Sequence, residues 1–224
     1  MCRPMPSRSD ALDFANPSIR RAWSAAWLQL RSCSSYDGLG VMLSGRLPHS
    51  PLTRAVVARA RPALPQLIRS IRQLDLAPSV SVALQLLGAG PGLTPSWDDL
   101  LIGLLCGLRA TRRSDVPHHQ FTREFGRGIL AGSEKTTAVS RAFVLRTVNG
   151  SGPEWVEDAL AAIATGNESH ARSATARALG VGHTSGTDTM IGAILGAAIW
   201  QQSNEPDQVL SALSCDLLSS GELS

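Results

Sequence analysis

Lysine is nearly absent. The 224-residue chain carries one, Lys135, against 20 arginines, and its 21 basic and 18 acidic side chains leave a net charge of +3. So small a surplus excludes the broad cationic surface that nucleic acid requires, and no nucleic-acid partner is expected. Charged residues make up 17% of the chain, below the ~25% of an average soluble chain, while hydrophobic residues make up 43%. That balance excludes a charge-driven disordered chain and supplies a sizeable core. Cysteine is scarce as well. Cys2, Cys33, Cys106 and Cys215 contain no C-x-x-C pair, which argues against zinc and against a disulfide framework, and for a reducing, cytoplasmic setting. Long apolar runs are missing: Met190 to Trp200 is the longest, and a membrane span needs ~20 residues. No apolar stretch precedes Asp10 to make a secretory leader. There is no strand–helix–strand alternation and no nucleophile-elbow signature, so a dinucleotide fold, an organic cofactor and a serine triad have no support.

What is present is helical periodicity. Residues 1–15, with Pro4, Pro6, Ser7 and Ser9, read as a flexible arm. Asn16-Pro17 is a cap-and-proline start, and Trp23, Trp27 and Leu30 fall on one face as core. Residues 31–40 read as a loop, and 40–47 as a short strand or an irregular link. Ser50-Pro51 starts another helix, and Pro62, Pro65 and Pro78 are expected to punctuate the chain beyond it. Leu67, Ile68, Ile71 and Leu74 make an apolar stripe that would serve as core or as an interface. Residues 79–82 alternate like a strand, but 83–87 read as helix. Beyond residue 95 everything is helical: 98–110, 118–131, 136–148, 153–164, 168–179 and 187–201, with a weaker helix over 206–218. The expectation is a mainly α, compact multi-helix domain over 16–202. It has central glycine-rich helices and a short β element in its N-terminal part. A weak helix or tail occupies 203–224.

Two segments repeat at an offset of 89 residues: Ser96, Asp99, Ile102, Gly103 and Gly107 return as Ser185, Asp188, Ile191, Gly192 and Gly196. A serine three residues before an acid has capping-box spacing. Glycine inside a helix costs about 1 kcal/mol relative to alanine, so four glycines in two Gly-x-x-x-Gly pairs imply a return, namely close approach of two helices. If the helices run parallel, their N-termini meet, and with them two loops rich in glycine and hydroxyls, 88–95 and 180–184. Backbone N–H groups of Gly90, Gly92 and Gly186, with the hydroxyls of Thr94, Ser96, Thr184 and Ser185, would then face a small anion. Asp98, Asp99 and Asp188 would add carboxylates able to hold Mg²⁺ beside that anion or to orient an amide. Capping the two helices is the plainer role for the same residues. A third hydroxyl-rich helix start, with Thr136, Thr137, Ser140 and Arg141 beside Lys135, is either a capped helix with a solvated edge or a further binding candidate. His183 sits in a turn rather than on an apolar face and is either a turn residue bonded to backbone or the candidate for proton transfer, with Asp99 and Asp188 as the further catalytic candidates.

The stretch Gly90-Pro91-Gly92-Leu93-Thr94-Pro95-Ser96-Trp97-Asp98-Asp99 resembles the Gly-Pro-Gly-Leu-Thr-Pro-Ser-Gly-Asp-Asp signature of the AllH/YlbF-like family. Thr136-Thr137-x-x-Ser140 and Gly182-His183-Thr184-Ser185-Gly186-Thr187-Asp188 resemble that family's later motifs, in the same order. The resemblance implies a subunit of oxamate carbamoyltransferase, a multi-subunit enzyme of anaerobic purine and allantoin catabolism. Its partners would include an FdrA-like subunit and other carbamoyltransferase subunits. Its reaction would interconvert oxalurate and phosphate with oxamate and carbamoyl phosphate. The roles assigned to the aspartates, hydroxyls and His183 are inferred from the residues and are not carried over from the family. Two departures stand out. Trp97 occupies a family glycine position, where an indole would obstruct a ligand or form a new wall. The N-terminal third is short and poorly matched to the family's more β-rich region, which leaves room for an assembly or regulatory subunit whose partner carries the chemistry.

Overall fold

The structure is a computed structural model that describes residues 11–32, 37–44, 46–111, 116–201 and 205–214. Residues 1–10 of the expected arm, 215–218 of the last expected helix, and Cys2, Cys33 and Cys215 lie outside the described residues. Eleven α-helices are described, in this order: α1 Pro17–Arg31, α2 Val41–Ser44, α3 Pro51–Arg72, α4 Leu76–Gln85, α5 Ser96–Ala110, α6 Val116–Ala131, α7 Ala138–Val148, α8 Glu154–Ala164, α9 Glu168–Leu179, α10 Ser185–Ala198 and α11 Glu205–Ser214. The mainly α expectation holds. No strand exists among the described residues; a single parallel bridge joins Leu12 to Thr111. The β element expected over 40–47 is instead the short helix α2, and the 79–87 ambiguity resolves as helix through Gln85. No helix among the described residues is long and apolar enough to cross a membrane.

Pro62 and Pro65 do not break the chain. Both lie inside α3, which runs unbroken for 22 residues. Pro62 is exposed, as is Ala58, whose carbonyl loses its helical donor to Pro62. Water can satisfy that group, so proline on the solvent face costs less than one facing the core. The stripe of Leu67, Ile68 and Ile71 is fully buried, so it is core and unavailable as an interface. The expected arm is anchored at its inner end: Leu12 and Phe14 are buried, and the Leu12 N–H donates to the Ala110 carbonyl at 2.7 Å.

The centre of the fold is the α5–α10 pair. A Cβ built at Gly103 would stand 1.9 Å from the Thr189 carbonyl oxygen, and one at Gly192 would stand 2.0 Å from that of Leu100. Gly107 faces Ala193 in the same way, and Gly196 faces Leu104. Each contact maps onto its counterpart through the 89-residue offset, and both series ascend together. The helices are therefore parallel, related by a local two-fold, and packed backbone to backbone. Such proximity excludes any side chain larger than hydrogen at the crossing. Both helices are buried on all sides, flanked by α1, α8 and α9 around α10 and by α6, α7 and α8 around α5. Trp23 and Trp200 fasten the shell with buried indole N–H bonds to the carbonyls of Ile194 and Ile71, both 3.1 Å.

Candidate functional site

Parallel packing brings the first turns of α5 and α10 side by side. The two serines do not cap these helices. Ser96 and Ser185 are the first residues inside them, and the flanking Pro95 and Thr184 make no side-chain cap. Each helix starts earlier than its apolar pattern indicates, so the serine hydroxyls are released for other partners. Ser185 Oγ lies 2.8 Å from Thr94 Oγ1. Ser96 Oγ is buried with no hydrogen-bond partner.

The three aspartates divide into two environments. Asp98 is a knot. Its Oδ1 accepts the Gly88 N–H at 2.7 Å, and its Oδ2 accepts the hydroxyls of Ser140 at 2.6 Å and of Thr136. Burial raises its pKa, and these three donors pull it back. Asp98 thus ties the 88–95 loop and the start of α7 to α5. Thr137 caps α7 by accepting the Ser140 N–H at 3.1 Å and donates its hydroxyl proton to the Leu93 carbonyl.

Asp99 and Asp188, equivalent through the repeat, are under-bonded. Asp188 Oδ1 accepts the Leu39 N–H at 2.7 Å, whereas Asp188 Oδ2 and Asp99 Oδ2 are buried with no partner. The surroundings are crossed: Ser185 and Thr94 stand beside Asp99, while Ser96 and Thr184 stand beside Asp188. Desolvation dominates both. It pushes Asp99 up to about 8, with the Asp188 charge adding to the rise, and Asp188 up to about 7. The neighbouring hydroxyls, and for Asp188 the Leu39 and Gly40 amides, oppose it. Burial and mutual repulsion both work against ionising the two carboxyls together.

Two loops close over the pair. In the 88–95 loop, Gly90 adopts φ +135, and a Cβ there would lie 2.4 Å from the Ser96 nitrogen. The tip is open: nothing lies within 4 Å of a Cβ at Gly92, and Leu93 is exposed. The second loop, 37–40, carries no chemical motif in the sequence, although its Asp37-Gly38 pair is a turn signal. Gly38 has φ +66, and its Cβ position falls 2.6 Å from Asp188 Oδ2. This loop seals the α10 side, where only glycine fits. His183 lies at the rim with its side chain 85% exposed, its Nε2 3.4 Å from Asp37 Oδ2. It makes no hydrogen bond to Asp99 or Asp188.

The other candidates fall outside this point. Arg141 is exposed on α7. Gly186 serves packing, since a Cβ there would meet the Ala178 carbonyl at 2.1 Å. The carbonyl of Lys135 abuts Gly88 while its side chain is solvent-facing. Trp97 neither obstructs nor walls the site. It points away into the core, fully buried, donating its indole N–H to the Ala83 carbonyl at 3.0 Å. Among the described residues, no three His, Cys, Asp or Glu side chains come together as metal ligands, and Asp98 is already satisfied by protein donors. Cys106 is a buried core thiol, its pKa pushed up to about 11 by burial.

A family model described as oxamate carbamoyltransferase subunit AllH matches residues 86–197, half of the chain. The matched span runs from the turn before the glycine-rich loop to the end of α10. It contains every residue of the site except the 37–40 loop. No curated protein and no solved structure matches the chain.

Proposed function

Because the chain belongs to the AllH family, we propose that it serves as a subunit of an oxamate carbamoyltransferase and binds a small carbamoyl-bearing anion where α5 and α10 begin. One observation carries this reading. Three buried polar atoms without partners, Ser96 Oγ, Asp99 Oδ2 and Asp188 Oδ2, converge at two helix N-termini inside the matched span. Buried polar groups are almost always paired, so such a cluster marks a place where something else supplies the bonds. The first-turn N–H groups and the glycine-rich loop suit an anion. Asp98 holds that loop in place.

In the transfer the resemblance implies, a hydrogen phosphate oxygen attacks the terminal ureido carbon of oxalurate. The bond from that carbon to the inner nitrogen breaks, and the proton from phosphate ends on the departing nitrogen of oxamate. Asp99, with its raised pKa, is suited to carry that proton. His183 at the rim is the alternative carrier. Oxyanion charge on the attacked carbonyl would be met by backbone N–H groups. Partners such as an FdrA-like subunit, and Mg²⁺ beside the phosphate, belong to the same proposal.

The exposed side chains of Leu93 and Val139, 71% and 39% accessible, favour a second reading: a partner subunit completes the site, and this chain supplies positioning rather than turnover. Thermal unfolding separates the two. The purified chain is melted with carbamoyl phosphate, oxamate or oxalurate, each with and without Mg²⁺. A ligand at a hundred times its Kd stabilises by about 2.7 kcal/mol, so a clear rise in Tm places a site in this chain. No rise with any of them leaves the assembly reading standing.

A further inference from the structure

We propose that Asp99 and Asp188 read the carboxamide end of the ligand, leaving its anionic end to the N–H groups of the 88–95 loop. This division rests on the proposed ligand site where α5 and α10 begin. An anionic group placed against the pair meets like charge from whichever carboxyl is ionised, in a poorly screened place, which binding sites avoid. A primary amide is complementary instead: its –NH2 offers two donors and its carbonyl one acceptor. The pair presents two carboxyl oxygens without a well-aligned partner, one on each helix, with the Ser96 hydroxyl beside Asp188 as a donor. The two open oxygens belong to repeat-equivalent residues of α5 and α10, one for each N–H of a single amide nitrogen. The 88–95 loop, held to α10 by the Thr94–Ser185 contact at 2.8 Å, and the Gly38 turn against Asp188 Oδ2 both cover these oxygens, so the ligand enters where one of the two opens.

Oxamate and oxalate test the division, because they are nearly isosteric and differ by an amide against a second carboxylate. Calorimetric titration of the full chain with each, in phosphate buffer, is repeated on Asp99→Asn and Asp188→Asn. The expected result is an oxamate preference of about tenfold or more, since a polar site left with unmatched groups rejects the analogue strongly. Each Asn variant, which replaces one carboxyl oxygen by an –NH2 donor at nearly the same size, should narrow that preference to about threefold or less. Thermal melts confirm that each variant is folded, and two variants on different helices guard against the failure of one. Equal binding of oxalate, or a preference unchanged in both variants, overturns the division while leaving the site itself in place. Failure of both anions to bind overturns the underlying ligand site as well.

Discussion

Asp98 and Asp99 are neighbours in the first turn of α5, both buried, yet they do opposite things. Asp98 accepts three hydrogen bonds from a loop and a second helix start. Asp99, with its counterpart Asp188, keeps an open oxygen in the core. A one-residue step along a helix turns a side chain by about 100°, so adjacent residues enter different surroundings. The contrast shows how to separate a carboxylate that builds a fold from one available for chemistry: by whether its acceptor capacity is already used, not by burial or charge.

The largest perturbation breaks the frame on which the comparison stands. Gly192→Val should prevent folding, because even its Cβ would lie 2.0 Å from a backbone oxygen and no side-chain rotation relieves that clash. Circular dichroism of the purified variant checks it, and native helicity would show that the helices can separate. Trp97→Gly should cost about 3–5 kcal/mol, as removal of a buried aromatic does. It should leave ligand affinity unchanged, because the indole faces α4 rather than the site; denaturant melts and titration together read both. Asp98→Asn should cost about 2–3 kcal/mol by placing an –NH2 among three donors that need an acceptor. Asp99→Asn should stay within about 1 kcal/mol of wild type, because it relieves a desolvated carboxyl. Equal losses in the two would dissolve the distinction.

A gentler probe is pH. The folded pKa values of Asp99 and Asp188 lie above the ordinary 3.8. The folded state therefore binds more protons than the unfolded one between that value and about 7 to 8. Their contribution to stability is full below the ordinary carboxyl range and is lost as pH rises through the folded values. Asp98 is shifted in the same direction. Melts between about pH 5 and pH 8 should show Tm falling, with a shallower slope in the Asp99→Asn, Asp188→Asn double variant. An unchanged slope would contradict the raised values. The smallest effect is expected from His183→Ala, within ~0.5 kcal/mol in stability because the ring is exposed. A large fall in turnover of the assembled enzyme with an unchanged Tm would assign the proton to His183 rather than to Asp99.

Much of the core is legible in the sequence because steric demand leaves a trace there. Gly103, Gly107, Gly192 and Gly196 share one spacing and one offset, which implies a close-packed pair; that the pair is parallel comes from the contacts. The sequence points wrongly to Ser96 and Ser185 as caps, because capping-box spacing starts each helix one residue after its serine, whereas both serines are themselves the first helical residue. Pro62 and Pro65 mislead because proline's cost depends on whether the orphaned carbonyl meets water, which needs the burial pattern of α3. The direction of Trp97 and the seal at Gly38 depend on contacts with α4 and across about 150 residues of chain, and no local pattern encodes them. For the aspartates, the repeat brings all three together but does not distinguish the bonded one from the open pair.

The most direct measurement is a crystal structure of the chain with oxamate and phosphate bound. The account predicts the amide nitrogen within about 3 Å of Asp99 Oδ2 and Asp188 Oδ2, with the oxamate carboxylate toward the glycine-rich loop and Asp98 unmoved in its three bonds. Oxamate bound with its carboxylate against the aspartate pair, or bound elsewhere with both oxygens still unpartnered, would contradict it.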